Sequence, residues 1–270
     1  MQFGMPTLLE TRSLEECAAL CRELGLQFIE LNMNLKQYQA ADLDVKAFAD
    51  IARRYGIFYT IHLDENLNPC DFNPLVAKAY TDTALMTIEA AKQLQVPILN
   101  MHLSHGVHFK MPDEKIYLFD AYLDTYRNSM LAFRDACEEA IAGSGIRLCI
   151  ENTDGHHHLF AQEALQLLLE SDVFALTFDI GHNHGIGGGD ENIILQYESK
   201  LCHMHMHDAV GKACHLALGT GEIDLEKYFE LARKLDLSIV LETKTIEGLR
   251  RSVAYVDAYN ERRNPRQAPY

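Results

Sequence analysis

The sequence predicts a closed barrel of eight parallel β-strands wrapped by helices. Three observations carry that expectation. Apolar, strand-like runs alternate with amphipathic helical stretches from one end of the chain to the other. Eight such pairs in 270 residues is the usual size of a β/α barrel. No Pro/Gly/Ser-rich linker or run of charge divides the chain, so one domain spanning residues 1–270 is expected.

The strands fall near residues 1–5, 27–31, 57–62, 98–102, 146–151, 174–179, 202–206 and 238–242. The helix after the first opens with Ser13 as N-cap and Glu16 three residues on, the spacing of a capping box. "DLDVKAFADIARRYG" carries the second helix to a stop at Gly56. "PLVAKAYTDTALMTIEAAKQLQ" and "LFDAYLDTYRNSMLAFRDACEEAIAG" supply two long helices. "QEALQLLLES", "ENIILQYESK", "DLEKYFELARKLD" and "LRRSVAYVDAYNERR" complete the set, and "NPRQAPY" reads as a frayed tail. An open doubly wound sheet would need a phosphate-binding glycine fingerprint after an early strand, and "MPTLLETRS" has none. "GIGGGD" (185–190) follows the sixth strand instead and reads as a flexible loop capped by Asp190.

Composition excludes several function classes. A hydrophobic content of 48% supports a large core, but no run approaches the ~18 apolar residues of a membrane span. Near Met1 there is no basic region followed by an apolar one, and the seven cysteines include no C-x-x-C pair. Reduced thiols in a cytoplasmic protein are therefore expected. A net charge of −15 opposes any partner that must be gripped by its phosphates, so nucleic acid is not the expected ligand. A homo-oligomer stays open.

Chemistry in a β/α barrel sits where strands end and loops begin. The third strand ends at His62, the fourth at His102, the fifth at Glu151, the sixth at Asp179, the seventh near His205 and the eighth at Glu242. Asp and Glu number 39 and His 13, so about one position in five carries such a group, and six consecutive strand ends carrying one is the strongest signal in the chain. Glu151, Asp179, His205 and Glu242 come from four adjacent strands. Three carboxylates and an imidazole suit a divalent cation such as Mn²⁺, Mg²⁺, Co²⁺ or Zn²⁺; without one the carboxylates would repel.

All thirteen histidines lie between His62 and His215. In "LCHMHMHDAV" they alternate at His203, His205 and His207, and residues two apart on a strand share a face. The run His156–His157–His158 reads as a solvated loop that binds metal only adventitiously.

The pieces "FIELN", "IHLDENLNP", "NMHLSHG", "CIENTDG", "TFDIGHNHG", "HMHMHDAVG", "HLALGTGEID" and "IVLETK" together resemble the xylose-isomerase-like barrel superfamily, over nearly the whole chain. It includes sugar-phosphate isomerases and epimerases, inosose isomerases, ketose 3-epimerases and endonuclease IV. The resemblance implies one divalent metal on Glu151, Asp179, His205 and Glu242. His205 matches the strand-seven ligand, with His207 as the alternative and His203 as a buried, hydrogen-bonded ring. It further implies a sugar or polyol isomerase or epimerase working through an enediolate, with Glu151 and Glu242 as the proton-transfer pair. His62, His102, His182 and His215 would bind substrate hydroxyls or a phosphate. Lys212 and Lys244 read as solvated loop residues within reach of an anionic substrate.

The endonuclease IV branch is the alternative, a metal-dependent phosphodiesterase on abasic DNA. Its extra metal positions map onto His62 and His102, which keeps a second cation there open. Its third site maps onto His182, His215 and an aspartate position that here is Ala213.

Overall fold

The computed structural model describes residues 1–153 and 155–263. The tail expected at 264–270 lies outside the described residues. Eight parallel strands close into a barrel: Gln2–Pro6, Phe28–Asn32, Phe58–His62, Ile98–His102, Arg147–Glu151, Phe174–Asp179, Leu201–Met206 and Ser238–Leu241. Each pairs with its sequence neighbours, and the first pairs with the last through Gln2↔Ser238 and Gly4↔Val240. The expected fold class is the observed one.

The alternation of side chains sorts the core into two zones. One face of each strand contributes Ile29, Leu31, Tyr59, Ile61, Leu99, Met101, Leu148, Ile150, Phe178, Met204 and Ile239 to a continuous apolar layer beneath the helices. The other face fills the barrel with buried polar groups, among them Glu30, Thr60, Asn100, Glu151, Thr177, Asp179, His203 and His205. Phe28 occupies barrel space beside the first strand. A Cβ on Gly4 would lie 2.4 Å from its ring, so only glycine fits there.

Helix ends follow the sequence cues. Ser13 accepts from the Glu16 amide at 3.2 Å, while Glu16 reaches back to the Arg12 amide at 2.8 Å, one residue short of a reciprocal box. Gly56 ends Val45–Tyr55 in the left-handed conformation, φ 64°. Among the described residues no helix is long and apolar enough to cross a membrane.

The strict eight-plus-eight alternation is incomplete. Two short hairpins stand at the C-terminal ends of the strands, His108–Lys110 with Lys115–Tyr117 and Asp208–Val210 with Ala213–Leu216. Strands of three or four residues are too short to show a period. The fourth long helical stretch breaks at Tyr122 into Leu118–Ala121 and Leu123–Ile141. Asp120 in the short piece accepts from the Phe160 amide at 2.9 Å, anchoring it to the next unit. Asp190 does sit at the N-cap of Glu191–Gln196, but its side chain makes no capping bond and is buried.

Candidate active site

The C-terminal ends of the strands bring Glu151, Asp179, His205 and Glu242 together. One donor atom from each lies within 4.8 Å of all the others. The His205 Nδ1 is the hub, 3.3 Å from Glu151 Oε1, 3.2 Å from Glu242 Oε2 and 3.9 Å from Asp179 Oδ2. Glu151, Asp179 and His205 are buried, and Glu242 nearly so. Among the described residues, His205 Nδ1 and Glu242 Oε2 have no hydrogen-bond partner.

Charge explains why three carboxylates tolerate this crowding. Burial acts to raise the Glu151 pKa, but the charges of His205 and His102 outweigh it and hold the group well below the usual carboxylate range. Burial likewise opposes ionisation of Glu242, and His205 with Lys244 overcomes it. Asp179 is lowered against its own burial by His207 and His182. All three are therefore anions at neutral pH, facing one another around a ring nitrogen.

Beside this quartet, His62 Nε2 and His102 Nε2 face each other at 3.2 Å, and each lies 3.3 Å from Glu151 Oε2. His62 Nδ1 donates to the Leu63 carbonyl at 2.7 Å, which fixes the orientation of the ring. Burial acts to lower the His62 pKa, but Glu151 and Glu30 raise it to about 9.

His203 and His207 prove to do different work from His205. His203 is fully buried one layer down, its Nδ1 2.6 Å from Ser238 Oγ and its Nε2 3.1 Å from Glu30 Oε2. His207 Nδ1 accepts from the His215 amide at 2.8 Å, so its Nε2–H faces Asp179 Oδ2 at 3.2 Å. Gly181 makes room for that ring: a Cβ there would lie 1.8 Å from His207 Cε1. Of the three alternating histidines, only His205 reaches all three carboxylates.

His182 Nδ1 stands 3.8 Å from Glu151 Oε1 and 3.7 Å from Asp179 Oδ2. His215 has φ 58°, a strained value for a non-glycine residue, and its Nδ1 lies 3.9 Å from Glu242 Oε1. Asp208 holds this loop: its carboxylate accepts from the amides of Ala209, Gly219, Gly221 and Ile223 at 2.8–3.2 Å. All six expected strand-end residues thus converge, together with His182 and His215.

One sequence reading needs correction. Within the 156–158 run His156 is buried, because its loop folds under His105; only His157 is exposed. Lys244 is an exposed loop residue as expected, and its ammonium lies 2.8 Å from Glu242 Oε1. Lys212 is exposed as expected. Sequence reasoning gave no role to Glu30. The signal was present in "FIELN": a carboxylate at the centre of an apolar strand, in phase with the inward face.

Two clefts flank the quartet. One, about 310 Å³, is lined by Thr7, Asn32, Asn34, His62, Glu242 and Lys244; the other, about 440 Å³, by His102, Thr153, His182, Lys212 and Cys214. Both are concave and open to solvent, and apolar side chains such as Leu8, Leu35 and Ile186 share their walls with the polar ones.

Residues 18–259 match the family described as xylose isomerase-like TIM barrel. The chain belongs to that family. Family membership accounts for the barrel, but not for a substrate. Among curated proteins, an uncharacterized protein of Methanocaldococcus jannaschii is 23% identical over 240 residues, covering 85% of this chain and 83% of that one. Among solved structures, a D-tagatose 3-epimerase-like protein superposes with TM-score 0.80 at 22% identity, covering 99% of this chain and all of the other. The 3-keto-D-glucoside 4-epimerase of E. coli gives 0.77 at 14% identity, with 96% and 99% covered. An IolI protein with a binding zinc atom gives 0.70 at 13% identity, with 97% and 98% covered. At these identities the likeness is one of fold.

Proposed function

We propose that this protein is a divalent-metal-dependent isomerase or epimerase of a sugar or polyol, in free or phosphorylated form. The observation that carries the reading is the convergence of three buried carboxylates on His205 Nδ1, with that nitrogen and Glu242 Oε2 left without a partner. Buried polar atoms are almost always satisfied, so orphaned atoms aimed at one another describe the donor set of a cation. Glu151, Asp179, His205 and Glu242 would hold it; an O₃N set suits Mn²⁺, Mg²⁺, Co²⁺ or Zn²⁺. The epimerases among the fold's neighbours, and the zinc bound in the IolI protein, support the same choice.

A bound cation would supply Lewis acidity to a carbonyl and a neighbouring hydroxyl, and so stabilise an enediolate. The chain's own groups do the rest. Glu151 and Glu242 lie on either side of His205, from the fifth and eighth strands, and can address opposite faces of a substrate between the two clefts. One removes the proton from carbon and the other returns it. Return to the opposite face of the same carbon gives an epimer; transfer to the adjacent carbon gives an aldose–ketose isomer. His62, His102, His182 and His215 line the same space and bind hydroxyls or a phosphate.

A second reading is favoured by one feature. His62, His102 and Glu151 form a donor group of their own, which fits a second cation and phosphodiester cleavage of the endonuclease IV kind. The charge of −15 and Ala213 in place of a carboxylate weigh against it.

The test is incubation with a panel of ketoses, ketose phosphates and inososes in D₂O with Mn²⁺. Solvent deuterium should enter at the reacting carbon, and Glu242→Gln should suppress that exchange far more than it weakens metal binding. Conversion with no deuterium uptake would remove the proton-transfer roles. Tight, salt-dependent nicking of abasic-site DNA would replace this reading with the second one.

A further inference from the structure

Cys149 and Cys202 are fifty-three positions apart in sequence, yet their sulfurs are 3.2 Å apart. Among the described residues no other two cysteines are hydrogen-bonded to each other. They come from the fifth and seventh strands, which the sixth separates in the sheet. The contact depends on a local irregularity. Pairing between the sixth and seventh strands runs Leu176↔Leu201 and then jumps to Thr177↔His203, so Cys202 is an extra residue in a bulge. A bulge re-aims a side chain. Here His203 still points inward to Glu30, and the Cys202 thiol is brought against Cys149. Neither thiol belongs to the site described above.

We infer that Cys149 and Cys202 are an oxidation site, a thiol pair that a peroxide converts to an intramolecular disulfide tying the fifth barrel strand to the seventh. Cys202 is the entry point. It is partly exposed, second in its strand and so near the N-terminal mouth, whereas Cys149 is fully buried. The hydrogen bond with Cys149 and the charge of Arg147 also hold the Cys202 thiol below its ordinary range against its burial. By contrast burial pushes Cys17 up to about 11 and Cys21 and Cys137 to about 12, which keeps them protonated.

The Cys202 sulfur attacks one peroxide oxygen; an S–O bond forms, the O–O bond breaks, and hydroxide leaves with a proton as water. The Cys149 sulfur then attacks the sulfenic sulfur; the S–S bond forms, the S–O bond breaks, and a second water leaves. Two thiols lose two electrons and two protons, and one peroxide becomes two waters. Closing the sulfurs from 3.2 Å to about 2.05 Å asks for a movement of about 1 Å. The bond would sit two residues below Glu151 and three below His205.

The full-length protein is treated with hydrogen peroxide, denatured with an alkylating agent present, and mapped by mass spectrometry. The expected product has lost two hydrogen masses, carries a Cys149–Cys202 cross-link reversible by dithiothreitol, and has its other five cysteines alkylated. Cys149→Ser should leave Cys202 as a sulfenic or more oxidised acid with no cross-link. Failure of the wild-type protein to cross-link, oxidation that stops at sulfinic acid, or a disulfide between other cysteines would each overturn the inference. The readout in wild-type protein needs no variant to fold and no metal to bind, so it is independent of the proposed function.

Discussion

Two layers of the barrel interior hold the same residue types and use them in opposite ways. In the lower layer Glu30 Oε2 takes a hydrogen bond from Thr60 at 3.0 Å and faces His203 Nε2 at 3.1 Å, while His203 Nδ1 is bonded to Ser238. There a single carboxylate has donors around it, and nothing further is needed. In the upper layer three carboxylates crowd one imidazole, and His205 Nδ1 and Glu242 Oε2 are left with nothing. A buried acid ringed by donors is structure; buried acids facing each other across an unpaired nitrogen are a ligand set. The layers meet at His205, whose Nε2 lies 2.8 Å from Glu30 Oε1, off the line of a hydrogen bond. The ring has one nitrogen toward each.

The contrast is broken most severely from above. Glu151→Gln or Asp179→Asn should lower divalent-metal affinity by more than the roughly 10–100-fold expected of a change behind the ligands. Elemental analysis and competition titration read this. Wild-type occupancy in both variants would leave the upper layer as mere structure.

Acidity separates the layers next. In the metal-free protein the His62 pKa is raised to about 9 and that of His205 is raised also, in both cases by carboxylates that outweigh burial. A raised value contributes stability that is complete below the unfolded pKa of about 6.5 and lost as pH climbs through the folded one. The lowered carboxylates act oppositely and lose their contribution only below about pH 4.5. Metal-free Tm should therefore fall between about pH 6.5 and 9. Saturating metal requires a neutral His205, whose pKa is raised, so its stabilising increment should grow as pH rises above about 6.5. Calorimetry of both forms at pH 6 and 8.5 decides; parallel slopes would refute the assignment.

Glu30→Gln probes the junction. The amide keeps the shape but removes the charge beneath His205, and metal affinity should fall roughly 10–100-fold with the circular dichroism spectrum retained. An unchanged affinity would place Glu30 wholly in the lower layer. The smallest effect concerns Asp179. Gly181→Ala would displace the His207 ring and His207→Phe would remove its donor, so both should weaken binding alike, by about tenfold. If Gly181→Ala alone were harmful, the ring would be filling space rather than orienting the carboxylate.

The sequence by itself determined the barrel, because each strand carries its own apolar period and each helix its own start and stop. Ser13, Gly56 and the runs ending at His62, Glu151 and Asp179 are local signals, read by the chain within a few residues of where they act. It also determined the strand ends at His62, His102, Glu151 and Asp179 and came within one residue at His205 and Glu242, since the fold's geometry gathers the C-terminal ends of the strands at one mouth. Only the tertiary structure decided what each polar side chain meets. "HMHMH" offers three rings in phase, and nothing local says that His203 rests on Ser238, that His205 faces three acids, or that His207 leans over Gly181 onto Asp179. The bulge that presents Cys202 to Cys149 is equally non-local. A side chain's role is set by partners tens to hundreds of residues away, and those distances are absent from the sequence until the barrel closes.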